Sequence, residues 1–305
     1  MSVTASMVKE LREITGAGMM DCKNVLMETD GDIEKAVELL REKGIAKAAK
    51  KADRIAAQGL VRTAFSKDGK TAAIIEVNSE TDFVAKNQEF IDFVDSLAKL
   101  VMENDVKSKD EFMDMPFEGS TVQEVLKSKI AKIGENMNIR RFEKFCEADT
   151  VYKGYIHGNG TIGVIVGIKT EASGEETEEA GKDVAMQVAS MNPRFLDGND
   201  VDPEFIAEEK KILTQQVLNE GKKPEMVDRI VEGKLKKELK EYCLLEQKFV
   251  KDSEVTVKQY IENTAKAKGK EMEVTSFVRF EVGEGIEKKE EDFAEEVAKQ
   301  MDMNK

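Results

Sequence analysis

Residues 72–87 read Ala72-Ala73-Ile74-Ile75-Glu76-Val77-Asn78-Ser79-Glu80-Thr81-Asp82-Phe83-Val84-Ala85-Lys86-Asn87. This stretch shows most clearly the passage from a strand through a connection towards a helix. The apolar run that ends at Val77 predicts a short strand, and an amphipathic helix is predicted to begin near Glu89. A connection between a strand and a helix is normally polar and lies at the surface. This one carries Phe83 beside Asp82, so we expect an aromatic side chain near the surface next to a carboxylate. The alternative is that Phe83 folds back under its own helix.

The same order of elements occurs twice along the chain. The first copy has a β-hairpin at 61–65 and 71–77, a helix at 90–102 and a closing strand at 138–145. The second copy has a hairpin at 152–156 and 161–169, a helix at 180–191 and a closing strand at 273–282. Two related copies of an antiparallel unit of strands and helices account for this order most simply.

The residues before the first copy have the pattern of three short helices, at 6–14, 19–27 and 33–42, the last of which is predicted to end at Gly44. This pattern resembles a ubiquitin-associated-type fold, and so small a helical unit is more often a protein-binding module than an enzyme. Met19 and Met20 are adjacent and cannot both face inward on one helix, so at least one should be exposed. We place Met20 inward. The basic segment 47–54 is predicted to be a solvated hinge helix, with a small RNA-binding patch as the less favoured alternative.

Residues 203–242 are inserted into the second copy and predict two helices joined by a tight turn. Their apolar stripe is thin, with Ile206, Leu213 and Val217 on one helix expected to face Met226, Ile230 and Leu235 on the other. Two helices with so narrow a stripe bury little surface alone, so we expect a protruding helical hairpin. A last amphipathic helix is predicted at 293–301. The segments 103–119 and 171–179 show no regular pattern.

These patterns predict an α+β protein with four parts. The parts are an N-terminal three-helix domain at 1–54, a first core subdomain at 55–145, a second core subdomain at 146–282 that includes the hairpin 203–242, and a C-terminal helical module at 283–305. A chain of 305 residues is long enough for several domains that each bury a core.

Net charge, apolar runs and cysteine spacing exclude several kinds of partner and site. The formal net charge is −14, which argues against a surface for nucleic acid or membranes because phosphate contacts need clustered Lys and Arg. The chain has no long apolar run and no signal-peptide pattern at its start, so we expect a cytoplasmic protein. Cys22, Cys146 and Cys243 are widely spaced and predict neither disulfides nor a zinc site, and are interpreted as small apolar side chains.

Motifs that suggest chemistry have a simpler interpretation here. The run Gly158-Asn159-Gly160-Thr161-Ile162-Gly163 matches a dinucleotide-binding pattern, but a strand rather than a helix follows it, which predicts a hairpin turn. The glutamates at 175–179 are interpreted as a solvated face. His157 is the single histidine, and no catalytic set of nucleophile and base is visible. We therefore expect a protein that is not an enzyme and has no cofactor or metal of its own.

Five segments resemble, in order, the signatures of the bacterial elongation factor Ts family. They are 15–23, 81–87, 133–141, His157-Gly158 and 280–288. Members of that family are guanine-nucleotide exchange factors for elongation factor Tu. The family fold has an N-terminal helical domain, two related core subdomains with a helical hairpin, and a C-terminal module, which agrees with the division above.

The resemblance also implies a site. Asp82 and Phe83 would enter the GTP-binding domain of elongation factor Tu near its Mg²⁺ ion, and Thr81 and Val84 would hold them in place. Met19, Met20 and His157 would make secondary contacts with the partner. The expected partner is elongation factor Tu, both GDP-bound and nucleotide-free, with no direct binding of nucleotide, nucleic acid or membrane. The alternative function is a ribosome-associated or chaperone-like binding module without exchange activity.

Overall fold

The N-terminal part of the chain is a small bundle of helices. The computed structural model describes residues 3–286, so the helix predicted at 293–301 lies outside the described residues. The first helices are α1 (Ala5–Thr15), α2 (Met19–Glu28) and α3 (Ile33–Ala49). Leu11, Cys22, Leu26 and Ala36 are fully buried between them. The core of this bundle is therefore separate from the cores of the sheets that follow.

The prediction that the third helix ends at Gly44 is wrong. The helix continues to Ala49, and Gly44 lies at a close contact, because a Cβ atom there would be 3.3 Å from the Cβ of Ala131 in a later helix. A glycine inside a helix costs about 1 kcal/mol relative to alanine, but this one lets the bundle pack closely on the core. Most of the basic segment 47–54 is exposed, as predicted, and the ammonium group of Lys51 attaches it to the core by donating to the carbonyl of Gly134.

The first half of the core is an antiparallel sheet with helices on one face. Its elements are β1 (Gln58–Phe65), β2 (Thr71–Ser79), α4 (Asp82–Ala85), α5 (Gln88–Glu103), α6 (Lys109–Asp114), β3 (Pro116–Phe117), β4 (Ser120–Thr121), α7 (Val122–Ile133) and β5 (Met137–Cys146). The sheet order is β1-β2-β5, with a bulge between Glu76 and Val77 in the pairing of the last two strands. Helix α5 packs on one side of this sheet, and α7 buries its apolar face in the same cluster of buried residues.

The second half repeats that arrangement. Its elements are β6 (Thr150–His157), β7 (Ile162–Thr170), α8 (Glu178–Met191), α9 (Pro203–Asn219), α10 (Pro224–Tyr242), β8 (Lys248–Phe249), β9 (Asp252–Thr256), α11 (Val257–Lys268) and β10 (Met272–Glu281). The sheet order is β6-β7-β10, again antiparallel and again with a bulge, between Val274 and Ser276. Helices α8 and α11 cover one face. The mixed helix and sheet agree with the predicted α+β class.

The two sheets pack against each other through the faces that carry no helices. The buried residues at this contact are Val61, Ala72, Ile74, Tyr152, Ile165 and Phe280. The core therefore has four layers, which are helices, sheet, sheet and helices. Both central strands, β2 and β7, are buried on both faces for this reason.

The inserted helices α9 and α10 form a hairpin with its own narrow core. Leu213 and Val217 pack against Val227, Val231 and Leu235. The prediction that Met226 faces inward is wrong, because the inner stripe of α10 runs through positions 227, 231 and 235 and leaves Met226 exposed. Between residues 3 and 286, no helix has both the length and the apolar character that crossing a bilayer requires.

The three cysteines do not all behave as small apolar side chains. Cys22 and Cys243 are buried, but Cys146 is exposed, because it is the last residue of the edge strand β5.

The segment 103–119, which shows no pattern in the sequence, contains α6 and part of the short hairpin β3–β4. Phe112 anchors α6 in the core, with its ring centroid 4.8 Å from that of Phe142. The domain boundaries at 54, 145 and 282 remain a prediction.

Candidate functional site

The connection between β2 and α5 presents an aromatic side chain to solvent. It forms the four-residue helix α4, in which Phe83 is 80% exposed while Val84 and Ala85 are buried. The expectation of an aromatic side chain near the surface is confirmed, and the alternative that Phe83 folds under its own helix is wrong. The ring of Phe83 therefore contributes little to the protein's own core.

The short helix α4 is held in place because Val84 and Ala85, which follow Phe83, are buried in the core. An isolated helix of four residues is unstable in water, because nucleating a helical turn is costly. Val84 and Ala85 belong to the buried cluster between the first sheet and α5. Asn87 then caps α5, with its side-chain oxygen accepting from the backbone N–H of Glu89 at 2.8 Å. The direction of Phe83 therefore follows from the packing of its neighbours.

The carboxylate beside Phe83 is charged and accessible. Asp82 Oδ2 accepts from Lys86 Nζ at 2.6 Å, one helical turn away, and both side chains are more than half exposed. The hydrogen bond from Lys86 lowers the pKa of the Asp82 carboxyl below its ordinary value. Asp82 and Phe83 thus place a negative charge and an apolar ring side by side on the surface.

Thr81 is tied to a distant turn. Its backbone N–H donates to Glu135 Oε2 at 3.0 Å, and its hydroxyl donates to Glu135 Oε1 at 2.7 Å. Glu135 follows α7, whose end is marked by Gly134 in the left-handed conformation. Glu135 lies inside a motif noted in the sequence, but no local pattern connects it with Thr81, which is 54 positions earlier.

The predicted secondary residues lie on other parts of the fold. Met19 and Met20 are 60% and 62% exposed at the start of α2, where an inward position for Met20 was expected. That prediction is wrong because Cys22, Val25 and Leu26 already fill the inner face of the helix. The two methionines are therefore a separate exposed apolar surface on the N-terminal bundle.

His157 lies at the end of β6, next to the hairpin turn predicted from the glycine motif. Its Nδ1 atom is 3.1 Å from the hydroxyl of Tyr155, and its side chain is exposed. The turn itself contacts the first sheet, since the N–H of Val61 donates to the carbonyl of Gly160 at 2.7 Å. Gly160 has a φ of +104°, a backbone conformation that strains any residue with a Cβ atom, so the turn requires glycine here. Among residues 3–286, no cluster of acidic, histidine or cysteine side chains is arranged to hold a metal ion.

The connection between β2 and α5, residues 79–87 (the junction), lies in a region that matches a known family. A family model described as "Elongation factor TS" matches residues 80–284. The chain belongs to the elongation factor Ts family. A protein named elongation factor Ts from Clostridioides difficile is 55% identical over 301 residues, which cover 98% of this chain and 99% of the relative. The elongation factor Ts of Clostridium novyi is 54% identical over 304 residues, with 99% of each chain covered. The elongation factor Ts match begins at Glu80, immediately before Thr81, Asp82 and Phe83.

Proposed function

We propose that this protein is a guanine-nucleotide exchange factor for elongation factor Tu and acts in translation elongation through the Asp82–Phe83 pair. Membership of the elongation factor Ts family supports the partner. The observation that carries the site is the 80% exposure of Phe83 on a helix whose next two residues are buried. A solvent-exposed ring on an anchored helix has no role in the protein's own core, whereas it suits insertion into a partner.

In the proposed complex, Phe83 enters the GTP-binding domain of elongation factor Tu between helices close to the Mg²⁺ site. The charged carboxylate of Asp82 disturbs the groups that position the metal ion. Without Mg²⁺, the phosphates of GDP lose charge compensation and the nucleotide leaves. This activity breaks and forms no covalent bond, so the protein would be a factor rather than an enzyme.

The energetics require more contact surface than the junction provides. Nanomolar binding of a nucleotide corresponds to about 12 kcal/mol, whereas burying one Phe side chain contributes about 1.5–3 kcal/mol. Linkage requires the factor to bind the empty GTPase more tightly than the GDP form by the same ratio that GDP is weakened. That difference must come from a large interface that extends beyond α4.

Other exposed groups are proposed to supply the remaining contacts. Met19 and Met20 present polarisable, adaptable side chains on the N-terminal bundle, which we propose to be a ubiquitin-associated-like domain. His157 would contact a different domain of the partner from the second sheet. The proposed parts remain 1–54, 55–145, 146–282 and 283–305.

Release of a fluorescent GDP analogue from elongation factor Tu tests the proposal. We expect Phe83→Ala to reduce the acceleration of release at least about tenfold, the effect of losing the burial of one aromatic side chain. Asp82→Asn should reduce it as well, because it removes the charge at similar volume. The matched controls are Ile212→Ala, which truncates an exposed apolar side chain on α9, and Asp149→Asn, an exposed aspartate paired with Lys169 at 3.0 Å.

Each outcome separates the functions. Acceleration by the wild type and both controls, with loss in the two junction variants, supports exchange through this site. Equal acceleration by all variants would keep exchange and place its site elsewhere. If a stable complex forms and the wild type does not accelerate release, the exchange function is wrong and a protein-binding module without exchange activity takes its place.

A further inference from the structure

Three segments of the chain meet behind the exposed ring of Phe83. They are the junction itself at 79–87, the turn 134–136 between α7 and β5, and the linker 50–54 that follows α3. Hydrogen bonds between side chains and backbone connect all three, and each bond joins segments that are far apart in sequence. The contacts therefore form a single connected cluster, which we name the junction clamp.

The first part of the junction clamp is the pair Thr81–Glu135. A threonine that precedes a helix normally uses its hydroxyl to cap a backbone N–H of the first turn. Thr81 makes no such bond to α4. Both of its donors go instead to the two oxygens of Glu135, at 3.0 and 2.7 Å. A two-point contact to one carboxylate restricts rotation as well as distance, so Glu135 sets the direction in which α4 leaves the strand.

The second part of the junction clamp is Asn136, which is buried. Its backbone N–H donates to Glu80 Oε1 at 2.5 Å. Its side-chain amide donates to the carbonyls of Arg54 at 2.7 Å and Ala52 at 3.3 Å. Glu80 also lies 3.5 Å from the guanidinium of Arg54. Asn136 thus joins the junction to the linker from the N-terminal bundle.

The bundle has a second attachment that leads to the same turn. Arg41 of α3 donates to the hydroxyl of Ser120 at 3.0 Å and pairs with Glu124 in the first turn of α7. Gly44 packs against Ala131 near the end of α7. The turn 134–136 begins where α7 ends. The N-terminal bundle is therefore linked to the junction both through the linker and through α7.

From these contacts we propose that Glu135 is a positioning residue for Phe83, and that Asn136 couples the presentation of Phe83 to the seating of the N-terminal bundle on the core. This inference rests on the proposed function only for its effect on exchange. The positioning itself is a property of the free protein. Without Glu135, Thr81 loses both partners, while Val84 and Ala85 still anchor α4 in the core and Asn136 still binds Glu80. The fold therefore persists while the ring of Phe83 samples more directions.

Hydrogen–deuterium exchange of the free protein tests the positioning directly. The amides of Lys86 and Asn87 donate to the carbonyls of Asp82 and Val84, at 3.1 and 2.9 Å. In Glu135→Ala their exchange should become about tenfold faster, the population change expected from losing a hydrogen bond to a charged group. Glu135→Gln keeps one acceptor for Thr81 and should show a smaller increase. Unchanged exchange at 81–87 in Glu135→Ala would overturn the positioning.

A matched control removes an equal charge elsewhere. Glu220→Ala breaks a partly exposed pair with Lys234 on the helical hairpin, with Nζ and Oε1 2.8 Å apart, and should leave exchange at 81–87 unchanged. A rise at 81–87 in this control as well would show a general effect of charge and count against the inference.

The coupling is tested with Asn136→Ala, which removes both bonds to the linker and keeps the backbone bond to Glu80. Exchange should rise at 50–56 and also at 81–87. Asn104→Ala is the matched control, because Asn104 likewise donates from its side-chain amide to a backbone carbonyl, that of Leu100 at 2.9 Å. A rise confined to 50–56 would overturn the coupling and leave the role of Glu135 standing.

Nucleotide release then shows whether positioning matters for function. Titrating the factor against elongation factor Tu, we expect Glu135→Ala to lower the maximal release rate about tenfold and to change the half-saturating concentration less than about twofold, because the rest of the interface is intact. An unchanged maximal rate would overturn the functional part of the inference. If the wild type does not accelerate release, the proposed function fails, while the hydrogen-exchange results still decide the positioning.

Discussion

The two halves of the core share a strand order but differ where the central strand leads into its helix. In the first half, β2 leads into α5 through a short helix that exposes Phe83. In the second half, β7 leads into α8 through residues 171–177, which contain no large apolar side chain and in which Ala172 and Thr177 are buried. One scaffold thus carries a protruding contact in one copy and a closed loop in the other. The proposed site of this protein therefore lies in a connection between two elements and not in the sheet.

The buried polar groups of the two halves differ as well. In the first half, the fully buried carboxylate of Glu76 accepts from Arg140 at 3.0 Å, from Arg141 at 2.7 Å and from the N–H of Gly283 at 2.8 Å. It therefore ties the segment after β10 to the first sheet. In the second half, the buried carboxylate of Asp183 accepts from Lys251 at 2.6 Å and from the hydroxyl of Tyr260 at 3.0 Å. A separate buried network there is neutral and centres on Gln187, whose side-chain amide donates to Gln247 at 3.0 Å.

The largest expected difference between the halves concerns these networks. Glu76→Ala takes the buried carboxylate away from Arg140 and Arg141, although Arg141 keeps its pair with Glu284 at 3.0 Å. We expect a loss of about 3–5 kcal/mol in the free energy of unfolding. Gln187→Ala removes only neutral hydrogen bonds and should lose about 1–3 kcal/mol. Denaturant unfolding of both variants measures the difference. Equal losses would remove the distinction between a charged and a neutral network.

A smaller effect is expected when the pH falls, because protonation of Glu76 removes its contribution to the free energy of unfolding. Burial by itself raises the pKa of Glu76, but hydrogen bonds from Gly283, Asn78 and the two arginines outweigh it and lower the pKa below the ordinary 4.5. The stabilisation by Glu76 is therefore complete above pH 4.5 and is lost as the pH falls through the lower, folded-state value.

The variant Glu76→Gln cannot titrate at this position. The difference in unfolding free energy between it and the wild type should stay constant from pH 7 to 5 and shrink below 4.5, with a slope of at most about 1.4 kcal/mol per pH unit. Denaturation at several pH values measures this slope. A constant difference down to pH 3 would contradict the lowered pKa.

The smallest expected effect is on the stability contributed by Phe83. Because its ring is exposed, Phe83→Ala should change the unfolding free energy by less than about 0.5 kcal/mol. Phe90→Ala, the matched truncation of a fully buried ring on α5, should lose about 3–5 kcal/mol. Thermal or denaturant unfolding compares the two. A large loss in Phe83→Ala would show that the ring serves the core, and would make the junctions of the two halves alike.

Most elements could be predicted because their signals are local. A Thr followed three residues later by Glu or Gln is the pattern of a capping box, which marks the start of a helix. Thr256 and Gln259 have this spacing and begin α11, where each side chain accepts from the other residue's backbone N–H. The similar pattern at Thr121 also begins a helix, but Glu124 pairs with Arg41 and Ser120 instead of closing the box. Gly44 shows the limit of local reasoning, since a contact with Ala131 overrides its tendency to end a helix.

The sequence by itself determined the α+β class, the duplicated order of strands and helices, the inserted hairpin and the family. Alternation, helical periodicity and turn residues are all short-range properties. Only the tertiary structure decided between the two positions predicted for Phe83, removed Met20 from the core, and showed that Glu135 binds Thr81. Each of these depends on which surfaces become covered when distant segments meet, and residues 54 positions apart carry no periodic signal of their contact.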